Sequence, residues 1–160
     1  MNDRQHAAAL VTIQFVLLGI LAWAGLNLPA PAAPVWVRFL GAGVAGIGLV
    51  VLGLAILTHL VVNRSLVNVS PEPNPQRQLV STGIYARVRH PIYTGVILTA
   101  AGMAITHGHI VSLAVAVMLG AFFTYKSMFE ERWLRRVYPA YSDYQRRSGR
   151  FIPPLCPRSR

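Results

Sequence analysis

Between Pro91 and Tyr125 the chain runs for 35 residues without a lysine, arginine, aspartate or glutamate. A stretch that apolar and that long belongs in lipid rather than in water. Two more runs share the property. Ala7 to Leu28 has 22 residues and no charge, softened only by Thr12, Gln14 and Asn27, and Phe39 to Val62 has 24 residues with His59 as the one ionisable group. A helix crosses about 30 Å of hydrocarbon with roughly 20 apolar residues, so each of these two runs is one span. A single helix over the 35-residue run would reach about 52 Å, too long for one crossing. His107-Gly108-His109 lies near its middle, where polar residues and a glycine make a turn cheapest. The spacing therefore predicts two short helices, 92–106 and 110–125.

Charge completes this picture. Only 12% of the residues are charged, against roughly 25% in soluble domains. The 15 cations outnumber the 5 acids, for a net charge of +10. Arg38 alone falls between the first and second runs. The other fourteen cations lie before the first run, between the second and third, or after the fourth. That asymmetry places both termini in the cytoplasm, and a bacterial inner membrane is the expected setting. Topology and anionic lipid account for the basic balance, and no nucleic-acid partner is expected. The fold class is all-α integral membrane: about four transmembrane helices (7–28, 39–62, 92–106 and 110–125, the last two a short hairpin) in one domain over 1–160. A cytoplasmic loop over 63–91 and a C-terminal amphipathic interfacial helix over 126–150 complete it.

Several local patterns carry no chemistry in this setting. The 7–28 run exceeds the usual signal-peptide core and Pro29, Pro31 and Pro34 crowd the only candidate cleavage site, so it stays as a membrane helix. Gly41-Ala42-Gly43-Val44-Ala45-Gly46 matches a dinucleotide fingerprint by letter, yet no strand precedes it and no acid follows before Glu72. Small residues four apart, Gly41/Ala45 and Ala42/Gly46, instead allow close helix packing. Asn63-Arg64-Ser65 and Asn68-Val69-Ser70 match the glycosylation sequon but fall on the cytoplasmic side. His107-x-His109 lacks further ligands nearby for a metal, and none is expected. Cys156 is too far from the end for a prenylation box.

Two segments stand out. Gln78 to Gly95 leads from the loop into the third helix, with Ser81-Thr82-Gly83 as a turn and Pro91 suited to a first helical position. Arg89, His90 and Tyr93 crowd that helix N-terminus, where exposed amides favour an anionic group; anchoring at the lipid headgroups explains the same residues equally well. In the second segment Phe129, Trp133, Val137 and Tyr141 form an apolar stripe, and Pro139 breaks the helix before a short one through Tyr141 and Tyr144. Glu130 and Glu131 are two of the five acids. Lys126 is one turn before Glu130, and Glu131 is one turn before Arg135, a natural surface pair.

Gly83-x-Tyr85-x-x-x-Arg89-His90-Pro91-x-Tyr93-x-Gly95, a helical hairpin, then Glu130-Glu131-x-x-Leu134 and Tyr138-x-x-Tyr141-x-x-Tyr144, together resemble the isoprenylcysteine carboxyl methyltransferase and phospholipid methyltransferase superfamily. The resemblance covers about 77–153. It implies that S-adenosylmethionine binds on the cytoplasmic side against Gln78, Leu79, Val80, Tyr85, His90, Pro91, Tyr93 and Glu130. The carboxyl methyltransferases hold the substrate carboxylate with an arginine four positions before the glutamate; here that position is Lys126, which keeps the charge and loses the two-point grip.

Methyl transfer from a sulfonium needs in-line alignment rather than covalent catalysis. Glu130 suits the cofactor's ammonium or a ribose hydroxyl, Arg89 or the helix N-terminus its carboxylate, and the tyrosines its adenine or cation. Lys126 would orient an anionic acceptor. An amine acceptor would need a base, and His90 or a glutamate would have to serve. The expectation is a methyltransferase acting on a lipophilic acceptor among membrane lipids, a carboxylate slightly favoured over a phospholipid amine. The rival readings are a nicotinamide-dependent reductase related to the steroid reductases and a non-catalytic protein that retains the fold.

Overall fold

The computed structural model describes residues 3–64 and 78–154. The second sequon, Arg77 and Cys156 lie outside them. Among the described residues five α-helices follow one another: α1 (Asp3–Asn27), α2 (Val35–Asn63), α3 (Pro91–His107), α4 (Ile110–Val137) and α5 (Tyr141–Arg147), with a 3-10 turn at Gly83–Ala86 before α3. No strand of more than an isolated bridge occurs among the described residues. By length and composition α1, α2 and α4 are long and apolar enough to cross a membrane. Trp23, Trp36, Phe39 and Leu57 stand 55–72% exposed along them, as lipid-facing residues do. The chain is an all-helical integral membrane protein.

Local chemistry sets most boundaries. Pro34 precedes α2, and Arg64 in the left-handed region (φ 49°) closes it by donating its N–H to the Leu60 carbonyl. Pro91 opens α3, where its missing N–H costs no hydrogen bond. Gly108 ends α3 at φ 74°, a conformation that favours glycine, and the His109 ring accepts from the Val111 N–H to begin α4. The turn predicted at 107–109 is therefore present. His107 fastens it: Nε2 donates to the Leu28 carbonyl (3.0 Å) and Nδ1 pairs with Ser112 Oγ (2.7 Å).

One boundary differs from expectation. The fourth hydrophobic segment does not stop at 125 with a separate interfacial helix after it; α4 continues without a break to Val137, and only Tyr141–Arg147 forms a second short helix. At about 42 Å, α4 is longer than the hydrocarbon layer. The charges at 126–131 fail to end it because Lys126 and Glu131 are both buried against partners from other elements. Of the apolar stripe, Phe129, Trp133 and Val137 lie on α4, and Tyr141 lies on the short helix expected after Pro139, where it is 1% exposed.

α3 is flanked by α2 and α4, and α1 lies against α4. The α2–α3 contact is glycine-mediated: a Cβ on Gly41 would lie 2.5 Å from Thr106 Oγ1, and one on Gly95 would lie 2.7 Å from Leu52 Cβ. Gly41, Ala45, Gly48 and Leu52, on one stripe of α2, meet Gly95, Thr99, Gly102 and Thr106. Gly46 faces open space, so the second small-residue pair read from the sequence is not in this contact. Leu17, Leu21, Ala100, Ala104, Val115, Leu119 and Phe123 form the core shared by α1, α3 and α4. Ala55, Val80 and Tyr85 form a second cluster that seats the segment before α3.

Candidate active site

The Arg-His-Pro segment is held from the far end of the chain. Residues 87–90 run beside 149–151: Gly149 N–H donates to the Arg87 carbonyl (2.9 Å), Arg89 N–H to Gly149 (2.8 Å) and His90 N–H to Arg150 (3.1 Å). Thr94 Oγ1 donates to the Phe151 carbonyl (2.9 Å), and Tyr144 Oη to the Tyr85 carbonyl (2.6 Å). Burial raises the hydroxyl pKa values of Tyr85, Tyr141 and Tyr144 above the ordinary phenol range, so all three stay neutral.

Within this frame the adjacent glutamates diverge. The Glu131 side chain is 2% exposed and saturated: Oε1 accepts from Arg89 Nε (3.0 Å) and faces His90 Nε2 (3.2 Å), while Oε2 accepts from Arg150 Nη2 (3.0 Å) and Gln145 Nε2 (3.1 Å). The partners are Arg89 and Arg150 rather than Arg135, whose Nη1 donates to Gln145 Oε1. Arg89 is equally committed, since its Nη1 donates to the Gln145 and Ser148 carbonyls. Glu130 remains 23% exposed. Its Oε2 accepts from Tyr93 Oη (2.9 Å) and lies 3.6 Å from His90 Nδ1. His90 thus stands between two carboxylates, stacked on Tyr93 at 5.3 Å and 4°.

Lys126 is completely buried, with Nζ donating to Gln14 Oε1 of α1 (2.5 Å) and lying 5.5 Å from the centre of the Tyr93 ring. The structure therefore brings Tyr93, His90, Glu130, Lys126 and Arg89 together at one end of the bundle. Tyr85 is seated beside them, within the electrostatic reach of Glu130. Pro91 is buried at the start of α3. Val80 is buried in the cluster with Ala55, whereas Leu79 is half-buried and Gln78 is exposed, its N–H donating to Asn63 Oδ1 (3.1 Å).

Sequence reasoning missed Gln14, Gln145, Ser148 and Arg150. Gln14 did carry a signal, as a polar residue inside a membrane run. Gln145 and Arg150 carried none, because their partners are 14 to 56 residues away.

The donor set suits a sulfonium nucleoside. A partly open carboxylate beside stacked aromatic faces offers a partner for an ammonium and a surface for a cation or purine. Tyr141 Oη is buried without a hydrogen-bond partner among the described residues, so polar capacity remains within this end of the bundle.

Residues 37–141, more than half of the chain, match the family model described as phospholipid methyltransferase. The chain belongs to that family. Among curated relatives, the protein-S-isoprenylcysteine O-methyltransferase of Schizosaccharomyces pombe is 34% identical over 87 residues, which is 53% of this chain and 37% of the relative. The nickel-cobalt-cadmium resistance protein NccN of Alcaligenes xylosoxydans xylosoxydans is 37% identical over 83 residues, 49% of this chain and 37% of that one. A solved structure, the eukaryotic intramembrane Ras methyltransferase (isoprenylcysteine carboxyl methyltransferase), superposes with a TM-score of 0.66 at 27% identity, covering 96% of this chain and 54% of that one. The matched regions thus span about a third of the curated relatives and about half of the solved one. The superfamily resemblance read from the Arg-His-Pro and Glu-Glu boxes holds for this phospholipid methyltransferase family member.

Proposed function

We propose that this chain transfers a methyl group from S-adenosylmethionine to a lipophilic acceptor at the cytoplasmic face of a membrane, both termini lying on that side in a bacterial inner membrane. The observation that carries the reading is Glu130: it alone of the two adjacent acids is open, and Tyr93 and His90 hold it at the mouth of α3. Bound S-adenosylmethionine would supply an electrophilic methyl on a positive sulfur.

Glu130 pairs with the cofactor's ammonium or a ribose hydroxyl, and Tyr85 and Tyr93 offer aromatic faces. His90 and Pro91 shape the wall, and Gln78, Leu79 and Val80 border the nucleoside. Arg89, committed to Glu131, Gln145 and Ser148, holds the wall in register and lends positive potential for the cofactor's carboxylate. Lys126 acts on an anionic acceptor through its field, which is strong where water is excluded. A carboxylate acceptor is favoured, since its attack needs no base. An amine acceptor is the second reading, supported by His90, whose ring faces Glu130 and Glu131 and could take the proton.

Purified protein incubated with membrane lipid extract and isotopically labelled S-adenosylmethionine tests the proposal, with mass spectrometry of the lipids as readout. A labelled lipophilic product supports it. Thermal stabilisation by NADPH, with none by S-adenosylmethionine, favours the reductase reading instead.

A further inference from the structure

The family match begins at residue 37, so α1 lies outside it. Yet α1 delivers a side chain to the site. Gln14 Oε1 accepts from Lys126 Nζ at 2.5 Å, and the same ammonium stands 5.5 Å from the centre of the Tyr93 ring. Both residues lie deep in their helices. Gln14 is eleven positions from the first residue of α1 and Lys126 eleven from the last of α4.

A fully buried ammonium is costly, and a polar partner lowers the cost. Other ways to hold the two helices together at this level were open, because small or apolar residues pack α1 on α4 elsewhere through Leu17, Leu21 and Leu119. A lysine with its amide partner is costlier than such packing. What it adds is a positive charge at a fixed point, one turn from Glu130 and over the ring whose hydroxyl binds Glu130.

We propose that Gln14 is a positioning residue of the acceptor site: by fixing the Lys126 ammonium beside Tyr93, it sets the preference for an anionic acceptor group. The inference rests on the methyltransferase reading above and adds to it a determinant on a helix that the family match does not include. The amide does so without charge of its own. A carboxylate in its place would keep the hydrogen bond and cancel the field.

That difference supplies the test. Binding of N-acetyl-S-farnesyl-L-cysteine and of its uncharged methyl ester is measured on the full chain in detergent, for wild type, Gln14→Glu and Gln14→Leu. Affinity for S-adenosylmethionine and the melting temperature are followed alongside. Wild type should prefer the acid over the ester. Gln14→Glu should melt no lower than wild type and lose roughly tenfold of that preference, with the ester bound as before. Gln14→Leu should lose the preference likewise wherever it folds.

An acid-to-ester ratio unchanged in Gln14→Glu overturns the inference, as does an equal fall for acid and ester, which marks a packing contact alone. Wild type that binds S-adenosylmethionine but shows no preference for the acid overturns the inference and leaves the methyltransferase reading standing. Wild type that binds neither S-adenosylmethionine nor either probe removes both.

Discussion

Tyr93 and Glu130 are joined by a 2.9 Å hydrogen bond across 37 residues of sequence, the tyrosine hydroxyl donating to the carboxylate. The contact ties the first turn of α3 to the far part of α4, and it separates Glu130 from its neighbour, which points into an arginine cluster.

The two glutamates should therefore fail in different ways. Glu130→Ala should leave the melting temperature within a few degrees of wild type and reduce S-adenosylmethionine affinity by roughly a hundredfold, the scale expected for losing a close charge pair in a sheltered site. Isothermal titration in detergent measures it, and unchanged affinity would remove Glu130 from the cofactor site.

Glu131→Ala should instead destabilise the protein, because Arg89, His90 and Arg150 would lose a shared buried partner. Breaking such a group costs on the order of 3–5 kcal/mol. A melting temperature equal to that of Glu130→Ala contradicts the division of labour between the pair.

Tyr93→Phe keeps the ring over Lys126 and against His90 but removes the hydroxyl. Cofactor affinity should fall by about three- to tenfold, part of the roughly 1.5–3 kcal/mol that a hydrogen bond to a charged group is worth, since Glu130 keeps its charge. His107→Ala, at the opposite end of the bundle, should lower the melting temperature through its lost bonds to Leu28 and Ser112 while cofactor affinity holds. Equal losses of affinity in the two variants would contradict this placement.

Packing between α2 and α3 gives a sharper contrast. Gly95→Ala places a methyl 2.7 Å from Leu52 Cβ and 2.8 Å from Leu52 Cα, so the helices must part, at about 1–3 kcal/mol or more. Gly46→Ala meets nothing within 4 Å. Only the first should reduce the yield of folded protein on size-exclusion chromatography.

Alkaline pH should act through the buried tyrosines. The Tyr144 pKa is raised, chiefly by burial, and its hydroxyl donates to the Tyr85 carbonyl. A raised folded-state pKa means that its contribution is whole below the ordinary phenol value of about 10 and is lost as pH rises through the higher folded value. Stability attributable to Tyr144 should hold from neutral pH to about 10 and decline above it. Tyr144→Phe should melt lower at neutral pH and show a shallower alkaline decline.

Much of this arrangement was legible in the order of the residues. Pro91, Gly108 and Pro139 mark backbone events that a single side chain decides, and the structure breaks or turns at each. The length of α4 was not legible. Lys126, Glu130 and Glu131 look like a membrane border to any local reading, and their burial depends on Gln14, Arg89 and Arg150, distant in sequence. The Glu131–Arg135 pair failed for the same reason. A one-turn spacing offers a partner, but two arginines from a bridged segment offer more hydrogen bonds in a drier place.

The bridge between 87–90 and 149–151 has a consequence for biogenesis. Every helix of the bundle leaves the ribosome before Gly149 does, so insertion into the bilayer can run ahead of the last fastening step. A nascent chain paused after α4 would already be anchored, yet its Arg-His-Pro segment would lack the backbone that secures it. Securing that segment therefore waits on backbone made after every membrane-crossing helix, and insertion alone does not complete the site.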